Sequence, residues 1–96
     1  MEHEVRRTEQ VEELIAQLAR TNQKRHRKVI KALGLLEHDP AYPSLQTHRF
    51  ESLDSVFGEA IWESYVENNT PGAWRMWWFY GPGQRQITVV LIAAHP

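Results

Sequence analysis

Apolar positions recur at helical spacing through the first third of the chain. Val11, Leu14, Ile15 and Leu18 stand at i, i+3, i+4 and i+7, which predicts an amphipathic helix over about 8–20. Thr21 and Asn22 are turn and N-cap residue types. A second stripe, Val29, Ile30, Leu33 and Leu36, predicts another helix over about 22–38. Gly34 lowers its propensity without ending it. Asp39-Pro40 ends it, because the residue before a proline avoids the helical region. Two helices joined by so short a turn form an antiparallel hairpin.

Pro40 and Pro43 make an extended connector, and beyond it the period changes. Segments at about 59–67, 73–80 and 86–94 are rich in Trp, Tyr, Ile, Val and Thr. They are separated by Asn68-Asn69-Thr70-Pro71-Gly72 and by Gly81-Pro82-Gly83. These are strand and turn signals, and strands with short links predict an antiparallel meander. Glu2 to Arg6 is a candidate fourth strand at an edge. Helices first and strands afterwards give an α+β fold. The expectation is an N-terminal antiparallel helix hairpin packed on a three- to four-stranded antiparallel sheet, in one domain over 1–96.

At 96 residues, 42% hydrophobic and 24% charged, the chain has the make-up of a small globular domain rather than a disordered or fibrous one. It has no cysteine, which removes disulfides, thiolate metal sites and cysteine nucleophiles, and fits a reducing cytoplasm. The opening MEHEVRRTEQVEE lacks the apolar run of a signal peptide. The longest apolar stretch, Val89 to Ala94, is too short to span a membrane. A cytoplasmic protein without a membrane partner is expected.

A formal net charge of −1 hides an uneven distribution. Arg20, Lys24, Arg25, Arg27, Lys28 and Lys31 fall within twelve residues that hold no acid. Such a run is either a solvated helix face or a local surface for phosphates. In the segment 73–80, alternation puts Trp74, Met76, Trp78 and Tyr80 on one face and Ala73, Arg75, Trp77 and Phe79 on the other. The first set suits the helices. An arginine in mid-sheet is costly if buried alone. Arg75 therefore either pairs with an acid such as Glu63 on the neighbouring strand, or lies in an open groove. Histidines at 3, 26, 38, 48 and 95 show no HxH or HExxH spacing, so neither a metal nor another cofactor is expected. GxGxxG, GxxxxGK[ST] and GxSxG do not occur, which leaves nucleotide-binding and serine-hydrolase readings without support.

The order of these segments resembles the RelE/ParE family of bacterial toxins from toxin–antitoxin systems. KVIKALGLLEHDPAYPSLQTHRF resembles the family's second helix, its proline stop and the short basic segment after it. AIWESYV and AWRMWWFY resemble the next two strands, the second with its arginine near the start. ITVVLIAAH resembles the last strand, which ends in a histidine or a basic residue. The likeness covers roughly residues 5–95. It implies a RelE-like fold, a helix hairpin on an antiparallel sheet, and a toxin neutralised by a cognate antitoxin. Many members cut messenger RNA without a metal, often on the ribosome; others act on DNA gyrase and are not nucleases. Members are usually strongly basic, whereas this chain has a pI of about 6.5. Some carry a tyrosine after the final histidine, where this chain has Pro96.

Metal-free RNA cleavage needs a base for the 2′-hydroxyl, a cation for the phosphate and an acid for the leaving oxygen. Histidine and arginine suit those tasks. By family position, Arg75 would clamp the phosphate, and His95 would transfer a proton or bind the phosphate. His48 and Arg49 would sit in the basic segment before the sheet. Glu63 would act as a base or orient Arg75. Lys24, Arg25, Arg27 and Lys28 would meet the RNA. The resemblance leaves two readings. One is a metal-independent endoribonuclease acting on messenger RNA at the ribosome; the other is a toxin-fold protein that acts only by binding gyrase or an antitoxin. Convergence of Arg75, His95 and His48 favours the first. Arg75 buried on Glu63 with His95 remote favours the second.

Overall fold

The computed structural model describes residues 2–54 and 58–95. A short strand, β1 (Glu4–Arg7), leads into the helices α1 (Glu9–Thr21) and α2 (Gln23–His38). A single 3-10 turn (Pro43–Leu45) follows, and then β2 (His48–Asp54), β3 (Ala60–Tyr65), β4 (Trp74–Tyr80) and β5 (Gln86–Ala94). Thr8 caps α1 by accepting the amide of Val11 at 3.3 Å. Asn22 serves both helices: its amide donates to Leu18 O at 2.9 Å, and its Oδ1 accepts the Arg25 amide at 3.1 Å. One residue thus satisfies orphan groups at two helix ends, which is why the hairpin turns so tightly.

The strands form one sheet in the order β1-β5-β4-β3-β2. β2, β3, β4 and β5 pair antiparallel, and β1 pairs parallel to β5, with Glu4 opposite Gln86 and Arg7 opposite Val89. The α+β layout is as expected, but the sheet has five strands and is mixed, where three or four antiparallel strands were expected. β1 can run parallel to β5 because the two are linked through the helices and the other strands rather than by a hairpin. β2 escaped notice because HRFESLD is a largely polar segment with little of the apolar alternation that marks a strand.

The helices cover one face of the sheet. Val11, Ile15, Leu18, Val29, Ala32, Leu33 and Leu36 pack there on Met76, Trp78, Ile87, Val89 and Ile92. Ile30, which shares the helical stripe in the sequence, lies at its rim and is 43% exposed. A chain of buried polar groups ties this core to the connector. The Trp78 indole donates to Ser64 Oγ at 2.9 Å, and Ser64 and Thr47 hydroxyls meet at 2.7 Å. Thr47 Oγ1 donates onward to Pro40 O at 2.7 Å. A carbonyl can only accept, so the proton order runs from Trp78 through Ser64 and Thr47 to Pro40. The opposite face has its own small cluster of Ile61, Trp77 and Phe79, packed with Phe50, Val90 and Ala93. Among the described residues no helix is long and apolar enough to cross a membrane.

Candidate functional site

Side chains directly opposite each other on paired strands share a face. His48 is opposite Glu63, and Glu63 is opposite Trp77. Tyr65, two residues beyond Glu63, is opposite Arg75. His48, Glu63, Tyr65, Arg75 and Trp77 therefore meet on the face away from the helices. His95 follows the last residue of β5, and its amide donates to Ala73 O at 3.0 Å, which holds it in line with the sheet.

Glu63 is the centre. Its side chain is only 3% exposed, yet three cationic or ionisable groups approach one of its oxygens. Oε2 lies 3.5 Å from Arg75 Nε, 3.7 Å from His48 Nε2 and 3.7 Å from His95 Nε2. Oε1 accepts the Trp77 indole N–H at 3.2 Å. A buried carboxylate without partners would be strongly disfavoured, and here the Arg75 cation and the Trp77 indole N–H face it, with each imidazole adding a charge when protonated. Both imidazoles remain about half open to solvent, 49% for His48 and 47% for His95.

His48 has a defined tautomer. Its Nδ1 lies 2.9 Å from Gln46 O, and since a carbonyl only accepts, Nδ1 carries the proton. The neutral ring then holds its lone pair on Nε2, the nitrogen beside Glu63. Gln46 is left-handed at φ 46°, which bends the chain so that its carbonyl faces the ring two residues on.

Arg75 sits deeper, with a side chain 12% exposed. Nη1 donates to Glu67 O at 3.0 Å and to Trp74 O at 3.2 Å, and the guanidinium lies 3.5 Å over the Tyr65 ring. Nε is buried and makes no hydrogen bond; its 3.5 Å approach to Glu63 is a charge contact only. Of the two placements, Arg75 thus takes the pairing with Glu63 rather than an open groove, and His95 approaches the same carboxylate oxygen.

The basic run divides. Arg25 Nε and Nη2 donate to the Glu67 carboxylate at 3.0 and 3.4 Å, and its guanidinium stacks 4.6 Å over Trp74. Lys28 Nζ lies 3.6 Å from the same carboxylate. These two are turned inward, while Lys24 and Arg27 face solvent. Glu67 is nearly buried and also accepts the Trp74 amide at 3.1 Å. Burial alone would raise its pKa. The Arg25 and Trp74 hydrogen bonds and the charges of Arg25 and Lys28 outweigh that and hold it below the usual carboxylate value. Arg49 stands opposite Trp62, on the sheet face that bears the helices, and so is not brought to Glu63. Among the described residues no group of three or more histidine, cysteine or acidic side chains is arranged to hold a metal.

Tyr65 and Glu67 add to the candidates named from the sequence, and Trp77, expected on the face of Arg75, supplies Glu63 with its indole N–H. Tyr65 and Trp77 were findable by counting in twos from Glu63 and Arg75 along their strands. Glu67 had no local signal, since its partners come from a helix far away in sequence.

No family model and no curated relative matches the sequence. Solved structures do. A chain of the archaeal RelE–RelB complex from Pyrococcus horikoshii OT3 matches with a TM-score of 0.69 at 13% identity, over 98% of this chain and 96% of that one. A YoeB/ParE toxin from Agrobacterium tumefaciens matches with a TM-score of 0.70 at 11% identity, over 97% and 99%. At these identities the likeness is one of backbone architecture, and it spans both chains almost end to end. The chain has the fold of RelE- and YoeB/ParE-type toxins.

Proposed function

We propose that the chain is the toxin of a toxin–antitoxin pair and that it cleaves RNA by acid–base chemistry, without a metal. The observation that carries this reading is the pair of half-open imidazoles, each 3.7 Å from one oxygen of a buried carboxylate. In the reaction, neutral His48 Nε2 takes the proton of the 2′-hydroxyl. The 2′-oxygen attacks the phosphorus, and the bond to the 5′-oxygen breaks. Protonated His95 gives its proton to that leaving oxygen. The products are a 2′,3′-cyclic phosphate and a 5′-hydroxyl, and the two histidines end with their protonation states exchanged. Glu63 lies beside the reacting Nε2 of each ring and balances the imidazolium charge at either stage. Arg75 faces Glu63 and adds positive potential where the phosphate gathers charge. Lys24 and Arg27 supply solvent-facing cations for the RNA backbone, with Arg25, Lys28 and Arg49 less free to do so. The substrate is messenger RNA on the ribosome, the neutralising partner is an antitoxin, and the setting is the cytoplasm.

The depth of Arg75 favours a second reading. A guanidinium this enclosed serves equally as a structural cation in a protein that only binds gyrase or an antitoxin. The test is growth on induction, with primer extension on translated messages. Wild type should arrest growth and cut messages, and His95→Ala should do neither. Growth arrest by both, with messages intact, would select the binding reading.

A further inference from the structure

We infer that the groove between α2 and the β3–β4 turn is a second phosphate subsite, one that holds the RNA backbone beside the phosphate being cut. This rests on the nucleolytic reading and extends it to substrate length.

The groove has two parts that share walls. A cavity of about 330 Å³ is lined by Lys28, Lys31, Ser44, Tyr65, Glu67 and Asn68. A smaller one, about 150 Å³, continues it along α2 past Arg25, Lys24 and Asn22, and shares Lys28 and Glu67. Lys24, Lys28 and Lys31 stand at i, i+4 and i+7, so one helix face carries all three along the groove. At its other end the groove opens onto Tyr65. That ring lies under the Arg75 guanidinium at 3.5 Å and meets the His48 ring edge-on at 6.4 Å. Tyr65 is therefore common to the groove and to the proposed acid–base site, which approach it from opposite faces of the sheet.

Its charge suits an anion. Glu67 is the one acid among the lining residues, and Arg25 already matches it at 3.0 Å. Lys28 also reaches it at 3.6 Å, which leaves Lys24 and Lys31 as the outward charges along the groove. Ammonium groups beside the Ser44 hydroxyl and the Asn68 amide offer donors to phosphate oxygens and no pattern that distinguishes bases. Such contacts set position and carry no sequence information. The ligand class is thus the phosphodiester of a single strand.

The probe is a fluorescent 2′-O-methyl RNA, which cannot be cut by 2′-hydroxyl attack, used as a tetranucleotide and as a dinucleotide. Binding is read by anisotropy across a salt series. Lys31 and Ser44 are exposed, so Lys31→Ala and Ser44→Glu are expected to fold as wild type does. Wild type should bind the tetranucleotide more tightly than the dinucleotide. Lys31→Ala should lower the slope of log affinity against log salt by about 0.7 for the tetranucleotide, the loss expected for one phosphate contact on a single strand. Ser44→Glu should weaken the tetranucleotide further, and neither variant should alter dinucleotide binding. Equal affinity for both lengths, or unchanged slopes in both variants, would overturn the subsite. A tetranucleotide with a single free 2′-hydroxyl reads the chemistry separately. If the slopes are as predicted while messages translated with the protein present also stay uncut, the groove stands and the nucleolytic reading fails.

Discussion

His95 Nε2 reaches to 3.7 Å from Glu63 Oε2 because β5 holds one residue more than β4 does over the same stretch. Trp77 is opposite Leu91 and Trp78 is opposite Val89, so Val90 is the extra residue of a β-bulge. Before the bulge, Ile87 and Val89 face the helices; after it, Ile92 does. Strict alternation from Ile87 would have carried His95 to the helix side. The shift returns it to the face that bears Glu63, Arg75 and His48.

The two histidines should give different halves of one pH profile. Cleavage by wild type is expected to be bell-shaped, since one ring must be neutral and the other protonated. His48→Ala should lose the limb that rises with pH, and His95→Ala the limb that falls. Each should lower the maximum rate by about 10²–10⁴-fold, the usual span for one acid or base. Initial cleavage rates of purified variants across the neutral pH range check both.

Much of this arrangement was readable from the amino acids, for specific reasons. The stripe Val29, Leu33 and Leu36 stood out because a helix repeats its buried face, and all three are buried. Pairing with Glu63 is one of the two placements that chemistry allows a mid-sheet Arg75, an open groove being the other. The path of His95 could not be foreseen, since no residue type announces a bulge at Val90. β2 was missed because its residues lack the apolar alternation of a strand. Glu67 was missed because Arg25 and Lys28 reach it only after α2 docks on the sheet. The inward turn of those two cations also shows why a charge run, counted along the chain, overstates the solvent-facing charge.

Arg75 should matter to stability as well as to rate. Arg75→Lys lacks the fork that reaches Glu67 O and Trp74 O together while facing Glu63. A loss of about 10²–10³ in cleavage rate is expected, as for other donors that stabilise developing charge. Arg75→Ala leaves Glu63 without its buried cation and should cost about 3–5 kcal/mol, the usual effect of breaking such a pair. Urea unfolding and cleavage rates on the same samples separate the two effects.

Glu67 should make stability depend on acid. A carboxyl held below its ordinary value in the fold stabilises fully above the ordinary glutamate range, and that contribution is lost as pH falls through the range and below it. Glu67→Gln is expected to cost about 1–3 kcal/mol near neutrality, the usual penalty for leaving buried polar partners unmet. The gap to wild type should narrow in acid. Urea midpoints at about pH 7 and about pH 3, above and below the ordinary carboxylate range, check the sign.

The hydroxyl chain behind the core makes a further prediction. Ser64→Ala strands the buried Trp78 indole N–H, while Thr47 keeps its bond to Pro40 O. A loss of about 1–3 kcal/mol in urea unfolding is expected. Ser64→Thr, which keeps the oxygen but crowds a fully buried position, should show the cost of volume instead.

The central claim is that His48 and His95 trade protons across Glu63 while a 2′-hydroxyl cuts its own strand. The chemistry of the fragment ends tests it most directly. RNA cut by the wild-type protein on translating ribosomes should carry 5′-hydroxyls, which a kinase labels without prior phosphatase treatment, and 2′,3′-cyclic phosphates on the upstream pieces. Glu63→Gln and His95→Ala should yield few or none of these ends. Fragments bearing 5′-phosphates, or equal yields of 5′-hydroxyl ends from wild type and both variants, would contradict it.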